Sequence, residues 1–381
     1  MLKNKFFTAS FLTALSISQM AVAQENNGAV AFPVISPTLN KNQSPYSVDA
    51  GLVGDIHIGG VLTGLAFVQD NEVGTDDSSH LDLSNGQVFI QKNEGLVQFY
   101  AQAGGYSIPA LGTAYTNAND STDNLFGVLP VAYVKVAPHE NFSFSAGKLP
   151  TLIGAEYTFT FQNLNIQRGL LWNQENAVNR GVQLDYTNDA VVASLSYNDG
   201  FYSGDYNWIS GFASYAFDEH NSLAFSGGGN LGDTRKATFA TPLLQNNDHI
   251  YTLTYTYTDE KWLISPYVQY NHVEEDRSIG IADEGSTLGF SLLGNYQFDD
   301  HFGLAARGEY ITSSGGSAML YGRDSDAWSI TITPTYKDGA FFARAEASYV
   351  GLQDSAAGSG FGKNGNEDGQ ARLLLETGFL F

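Results

Sequence analysis

Arg372-Leu373-Leu374-Leu375-Glu376-Thr377-Gly378-Phe379-Leu380-Phe381 closes the chain, and its reading decides the fold. Counted by twos, Leu373, Leu375, Thr377, Phe379 and Phe381 share one parity, while Arg372 and Glu376 share the other. Side chains alternate across a strand, so this segment is a strand with one oily face and one charged face. A strand of this kind at the end of a chain needs two unlike environments, lipid on one side and an aqueous or paired interior on the other.

The same grammar recurs upstream. In 251–258, Tyr251, Leu253, Tyr255 and Tyr257 oppose Thr252, Thr254, Thr256 and Thr258. Trp328, Ile330 and Ile332 oppose Ser329, Thr331 and Thr333, and Leu288, Phe290 and Leu292 oppose Thr287, Gly289 and Ser291. A charge facing lipid at mid-depth costs about 2 to 4 kcal/mol, so charges inside strands belong on the polar parity. Arg307 and Glu309 stand opposite Phe302, Leu304, Ala306 and Tyr310, and Arg344 and Glu346 stand opposite Phe341, Ala343, Ala345 and Tyr349. With Arg372 and Glu376 they form a mixed-sign ladder toward a wet interior. Two readings of that ladder stay open and are not exclusive: a pore wall with a transverse field, and charges that pair and brace the interior.

Connections between strands alternate in length. Tight turns fall at 92–95, 138–141, 188–189, 218–221, 259–260, 299–300 and 338–339, and long loops near 70–79, 105–127, 150–179, 199–207, 232–248, 273–284, 313–325 and 351–370. A barrel with short periplasmic turns on one rim and long extracellular loops on the other explains the alternation. The expected fold is all-β, a single transmembrane antiparallel β-barrel of about 16 strands, with 14 as the alternative count because the first hairpin is weakly marked. The turns Pro138-His139-Glu140-Asn141, Asp218-Glu219-His220-Asn221 and Asp299-Asp300-His301-Phe302 read as reused hairpin turns, whose Asp and Asn tolerate a left-handed backbone. Their histidines are read as solvated turn residues and not as metal ligands.

Residues 1–23 have basic Lys3 and Lys5, an apolar stretch and the small-residue site Ala21-Val22-Ala23, the pattern of a cleaved secretory signal peptide. Residues 24–50, with Pro33, Pro37 and Pro45, are read as a flexible periplasmic lead-in, and 51–381 as the barrel. No later stretch approaches the roughly 18 consecutive apolar residues of a membrane helix. The net charge of −22 argues against nucleic acid as a partner. The lack of cysteine removes disulfides, thiolate metal sites and cysteine nucleophiles together.

The loop 150–179 is the longest and carries Glu156, Arg168 and Glu175, with Arg180 at its border. A loop of that length is usually functional, and folding inward to narrow the lumen is preferred to an exposed cap. The candidate pore-lining and constriction residues are therefore Glu156, Arg168, Glu175, Arg180, Arg307, Glu309, Arg344, Glu346, Arg372 and Glu376. Trp208, Trp262, Trp328, Tyr257, Tyr296 and Tyr336 sit at strand ends, where aromatic girdles form. The run Gly147-Lys148-Leu149-Pro150-Thr151-Leu152-Ile153-Gly154, the segment 165–171 with Arg168-Gly169-Leu170-Leu171, and Arg180-Gly181-Val182 resemble the β-barrel porin-2 (OmpL-like) family of bacterial outer-membrane proteins. The resemblance implies an outer-membrane channel for small solutes and no catalytic residues.

The expected function is a porin for passive diffusion of small hydrophilic solutes and ions. Acidic rim residues Asp76, Asp77, Glu274, Glu275 and Asp276 point to a modest cation preference. A ligand-selective channel for a sugar or peptide is the alternative, and a non-conducting structural or adhesive barrel is another. An enzyme is not expected, because no serine sits in a Gly-x-Ser-x-Gly elbow. No cofactor and no metal are expected, since the acidic clusters at 70–77 and 274–276 lack the ligand spacing of a calcium loop. Expected partners are outer-membrane lipid and lipopolysaccharide, small solutes, and the barrel-assembly machinery, because Phe381 resembles the terminal signal that machinery recognises. A homotrimer is the oligomer considered, and the outer membrane of a Gram-negative bacterium is the expected location.

Overall fold

Alternation in the sequence becomes alternation of exposure along hydrogen-bonded strands. A computed structural model describes residues 46–316 and 320–381. The expected signal peptide, 1–23, and lead-in residues 24–45 lie outside the described residues. The strands are β1 (Tyr46–Asp49), β2 (Asp55–Gln69), β3 (Ser79–Lys92), β4 (Val97–Tyr106), β5 (Val131–His139), β6 (Phe142–Pro150), β7 (Val178–Thr187), β8 (Val191–Asn198) and β9 (Trp208–Ala216). They continue with β10 (Asn221–Asn230), β11 (Asp248–Thr258), β12 (Trp262–Val273), β13 (Gly285–Gln297), β14 (Phe302–Gly315), β15 (Asp326–Asp338), β16 (Phe341–Gln353) and β17 (Gly369–Leu380).

From β2 to β17 each strand pairs antiparallel with the next, and β17 pairs back to β2 through Arg372↔Gln69 to Leu380↔Val61. The barrel thus closes with 16 strands and no open edge, which settles the count left between 16 and 14. The outlying strand is β1, which pairs with the lower part of β2, Tyr46↔Ile58 to Asp49↔Asp55. Phe381 and Gly60 exchange backbone hydrogen bonds of 2.7 and 2.9 Å just above it. Residues 46–49, assigned to the flexible lead-in, are therefore paired strand, because β2 extends past the end of β17 and leaves donors and acceptors to satisfy.

The outward face is apolar, with Leu373 60%, Leu375 63% and Phe379 51% exposed on β17, where Arg372 and Glu376 are buried. Aromatic pairs mark the short-turn rim: Trp262 lies 4.5 Å from Tyr296, and Phe302 lies 5.0 Å from Tyr336. Trp208 departs from the expected girdle. It takes the inward parity of β9, is fully buried, and packs with Ile153, Phe201 and Ile250.

Left-handed backbone in the short turns falls on Gly95 and Gly339, and no turn aspartate or asparagine at those positions has positive φ, so the other turns hold for another reason. Asp218 Oδ1 accepts from the N–H of His220 and Asn221, both at 2.8 Å. Asp299 Oδ1 accepts from His301 and Phe302 at 2.8 and 2.9 Å, and Asp259 Oδ1 does the same for Lys261 and Trp262. The side chain supplies the turn's missing acceptor.

Strand length divides the wall. Strands β4 to β10 have 8 to 10 residues, whereas β12 to β17 have 12 to 14 and β2 and β3 have 15 and 14.

Candidate functional site

The chain between β6 and β7, 151–177, does not stand out over the rim. Phe159, Phe161, Leu164, Ile166, Leu170 and Leu171 on it are 0 to 3% exposed, although they belong to a loop. Its backbone carries polar groups that need partners once removed from water. The inward side chains of β14 to β17 supply them.

On β16, Glu346 Oε2 accepts from Ile166 N at 2.5 Å, and its Oε1 accepts from Gln167 N at 3.1 Å and Gln167 Nε2 at 2.9 Å. Arg344, two residues earlier and hence on the same face, donates to Asn163 O at 2.8 Å and Thr160 O at 3.0 Å and pairs with Glu376 of β17. Thr160 Oγ1 completes that link by donating to Glu376 at 2.5 Å. On β14, Arg307 Nη1 donates to Glu156 at 2.6 Å and to Gln167 O at 2.9 Å, and its Nε lies 3.2 Å from Glu309. Glu309 accepts from Leu170 N and from Ser329 Oγ, at 3.0 and 2.6 Å. Arg372 of β17 donates to Ala110 O at 2.7 Å and Gln167 Oε1 at 3.0 Å, which ties the second long loop to the same seam.

Arg168 turns back on its own loop, with Nη1 donating to Thr158 O at 2.7 Å and a second bond to Ile166 O. Its backbone bridges to the 107–130 loop, donating to Pro109 O at 2.9 Å and accepting from Leu111 N at 3.0 Å. Of the candidates predicted from sequence, Glu156, Arg168, Arg307, Glu309, Arg344, Glu346, Arg372 and Glu376 thus form one buried network. Each is 6% exposed or less, and these groups pair with one another and with the loop, which is the bracing reading of the charge ladder.

Glu175 is buried nearby, yet neither of its oxygens has a hydrogen-bond partner among the described residues. A Cβ on Gly154 would fall 1.8 Å from Glu175 Oε2, and Gly154 has φ +85°, so only glycine suits that position. Arg180 goes elsewhere. It shares parity with outward Val182 and Leu184 and pairs in register with Lys148, so it stands at the long-loop rim and not in the lumen. The cause is its one-residue offset from inward Asn179 and Gly181.

Sequence reading missed the apolar half of the contact. Leu65 and Phe67 of β2 and Leu374 of β17 point inward against Ile166, and Phe89 and Tyr106 enclose Phe159 and Phe161. The signal was present in Leu373-Leu374-Leu375, where an apolar residue occupies the polar parity. An apolar side chain on the inner face of a barrel needs an apolar partner inside.

The facing wall is different. Inward positions on β6, β8, β9, β10 and β11 include Ser143, Ser145, Ser196, Ser210, Ser226, Thr252 and Thr254, side chains too short to reach across the lumen, although Trp208 of β9 and Ile250 of β11 meet the loop at Ile153 near the long-loop rim. Lys135 of β5 and Asp185 of β7 share this inner face with β6 between them, and Tyr133 stacks on Tyr100 at 5.7 Å.

Comparison with known proteins places this geometry. No curated protein matches the chain. Among solved structures it resembles outer-membrane expressed OmpT of Vibrio cholerae, with TM-score 0.60 and 15% identity over 89% of this chain and 100% of that one. The outer membrane channel DcaP of Acinetobacter baumannii gives TM-score 0.60 at 10% identity, with the same coverage. An anion-selective porin from Comamonas acidovorans gives 0.59 at 13%, covering 86% of this chain and 99% of that one. These likenesses concern the fold. The family described as "Putative beta-barrel porin-2, OmpL-like" matches residues 55–381, the whole closed barrel. The chain is an outer-membrane β-barrel that belongs to this porin family.

Proposed function

We propose that the protein is a passive diffusion pore for small hydrophilic solutes and ions, and that segment 151–177 sets its narrowest section. The observation that carries this reading is the unequal lumen. On one side the loop is fixed by polar bonds to Arg307, Arg344, Glu346 and Arg372, and on the other it meets the wall through apolar contacts, at Tyr106, Trp208 and Ile250, among inward serines and threonines. Solute passes between the loop and the short side chains of β5 to β11. Lys135 and Asp185 are the charges it meets there. Acidic rim residues give a modest cation preference at low salt, tempered because Glu275 pairs with Arg277 at 2.9 Å. Purified, folded protein in planar bilayers is expected to open ohmic channels with a cation-positive reversal potential in a salt gradient. Absence of conductance at every voltage would end the pore reading in favour of a structural barrel.

The stacked Tyr100 and Tyr133 favour one second reading, a sugar-selective channel, since ring faces are natural platforms for sugar rings. Saturable block of open-channel current by millimolar sugar, removed by Tyr133→Ala, separates it from simple diffusion. Phe381, which seals the β2 and β17 seam by backbone pairing, serves in this proposal as the mark read during assembly. Phe381→Ser is expected to lower the amount of assembled barrel in the outer membrane while leaving refolding in detergent intact.

A further inference from the structure

Outside the lumen, three cations gather at one place on the long-loop rim. Lys148 and Arg180 are direct cross-strand partners on β6 and β7 and share the outward parity. The Arg180 guanidinium lies 4.0 Å from the centre of the Tyr202 ring, and Lys148 Nζ lies 5.4 Å from it. Lys236 Nζ donates to Ser203 O at 2.6 Å, and both it and Arg180 Nη2 come within 4 Å of the point where a Cβ on Gly204 would sit. Tyr202 holds φ +58°, a conformation bulky residues rarely adopt and keep only where surroundings impose it.

Charge here is not balanced. Arg180 pairs with Asp199 at 2.7 Å, and Asp199 is fully buried. Lys148 donates to the carbonyls of Phe126 and Leu129, at 3.1 and 2.9 Å, so it is oriented without being neutralised. Among the described ion pairs neither Lys148 nor Lys236 has a carboxylate. In a chain of net charge −22, a positive patch on the rim is a local exception.

Directly below the pair, register steps down through Ala146↔Val182, Phe144↔Leu184 and Phe142↔Tyr186, with Phe144 54% and Val182 55% exposed. Phe144, Val182 and Leu184, with Val134, Val136 and Leu195, line an apolar depression of about 480 Å³ on the outer wall. Cations at headgroup height over an apolar slot at acyl depth match one kind of molecule, a lipid carrying anionic phosphate.

We propose that Lys148, Arg180 and Lys236 hold the phosphate of an acylated, phosphorylated glycolipid of the outer leaflet, with acyl chains in the depression below. The proposal rests on the outer-membrane placement of the barrel and on the long loops facing outward. Arg and Lys donors around Tyr202 grip the phosphate oxygens, and the slot between β5 and β9 adds apolar contact.

The test is native mass spectrometry of folded protein in neutral detergent with diphosphoryl lipid A and with the same lipid dephosphorylated. The expected result is about tenfold tighter retention of the phosphorylated form. The Lys148→Gln/Lys236→Gln double variant should lose that preference, while Arg180→Lys, which keeps the charge, retains most of it. Equal retention of both lipids, or an unchanged preference in the double variant, would overturn the proposal. So would the finding that the depression is covered by a second copy, seen as a stable oligomer that excludes lipid. Conductance separates the readings: intact wild-type channels without lipid preference remove only this proposal, whereas no conductance in either protein counts against the pore itself.

Discussion

The two halves of the barrel wall are built from the same alternating pattern and end up with opposite interiors. Strands β12 to β17 with β2 and β3 are long, and their inward arginines, glutamates and apolar residues bind a loop. Strands β4 to β11 are shorter, and serines, threonines and glycines recur at their inward positions on β6 and β8 to β11. A closed sheet needs only outward oil and inward polarity, so both halves satisfy the fold. What distinguishes them is side-chain reach. Arginine and glutamate cross to the loop backbone and fix it there, and serine cannot.

Breaking the fixed half should produce the largest effect. Arg344→Met leaves Glu376 buried without its cation and strips the donors from Asn163 O and Thr160 O. Loss of one partner from a buried pair costs about 3 to 5 kcal/mol. The expected outcome is a clear fall in the temperature at which the barrel loses its compact mobility on denaturing gels, with larger, noisier conductance from a loosened loop. Wild-type stability would show that the loop is held by its apolar face alone.

A charge change on the open half should act on permeation with little effect on stability. Lys135→Glu places a second acid beside Asp185, and the reversal potential in a salt gradient should shift toward cations by about twofold in permeability ratio at low salt. The shift should shrink in molar salt. An unchanged ratio at low salt would mean that solute does not pass along this wall.

Glu175 offers a smaller effect of opposite sign. Its carboxyl is buried with both oxygens unpartnered, so Glu175→Gln should raise thermal stability by about 1 kcal/mol, as expected when a buried acid without partners is removed. Destabilisation would show that the acid is held by a partner that glutamine cannot replace.

The smallest effect lies in the turns. The N–H groups of His301 and then Phe302 hold the Asp299 carboxyl below the usual carboxylate range. A depressed value means stability that is present above the ordinary carboxylate pKa and is lost as pH falls through the lowered one. Asp299→Ala should therefore lower the unfolding temperature slightly at neutral pH and narrow the gap between variant and wild type in acid. A constant gap at all pH values would assign the turn to backbone geometry alone.

The barrel was legible in the sequence because its constraint is local: parity within a strand and length between strands report directly on lipid and rim. Tyr251 to Thr258 and Arg372 to Phe381 show their two faces without any knowledge of neighbours. The fate of the inward charges was not legible in the same way. Arg307 and Glu346 carry no local mark that tells open water from a loop backbone, because their partners Gln167 and Ile166 lie far away along the chain. Leu374 did carry such a mark, an apolar residue on the polar face, and Phe67 repeats it. Arg180 was misplaced because a one-residue offset at the start of a strand reverses the face, and the loop before it hides the register.

The central claim is that solute moves along the short-side-chain wall and not along the wall held by the loop. The chain contains no cysteine, so single cysteines report without background. Ser145→Cys on β6 and Thr331→Cys on β15 place one thiol on each wall, and open channels are exposed to a small charged thiol reagent. Rapid, lasting reduction of current in Ser145→Cys with no change in Thr331→Cys is the predicted result. Reaction at Thr331→Cys with Ser145→Cys silent would contradict it and put the passage on the other side of the loop.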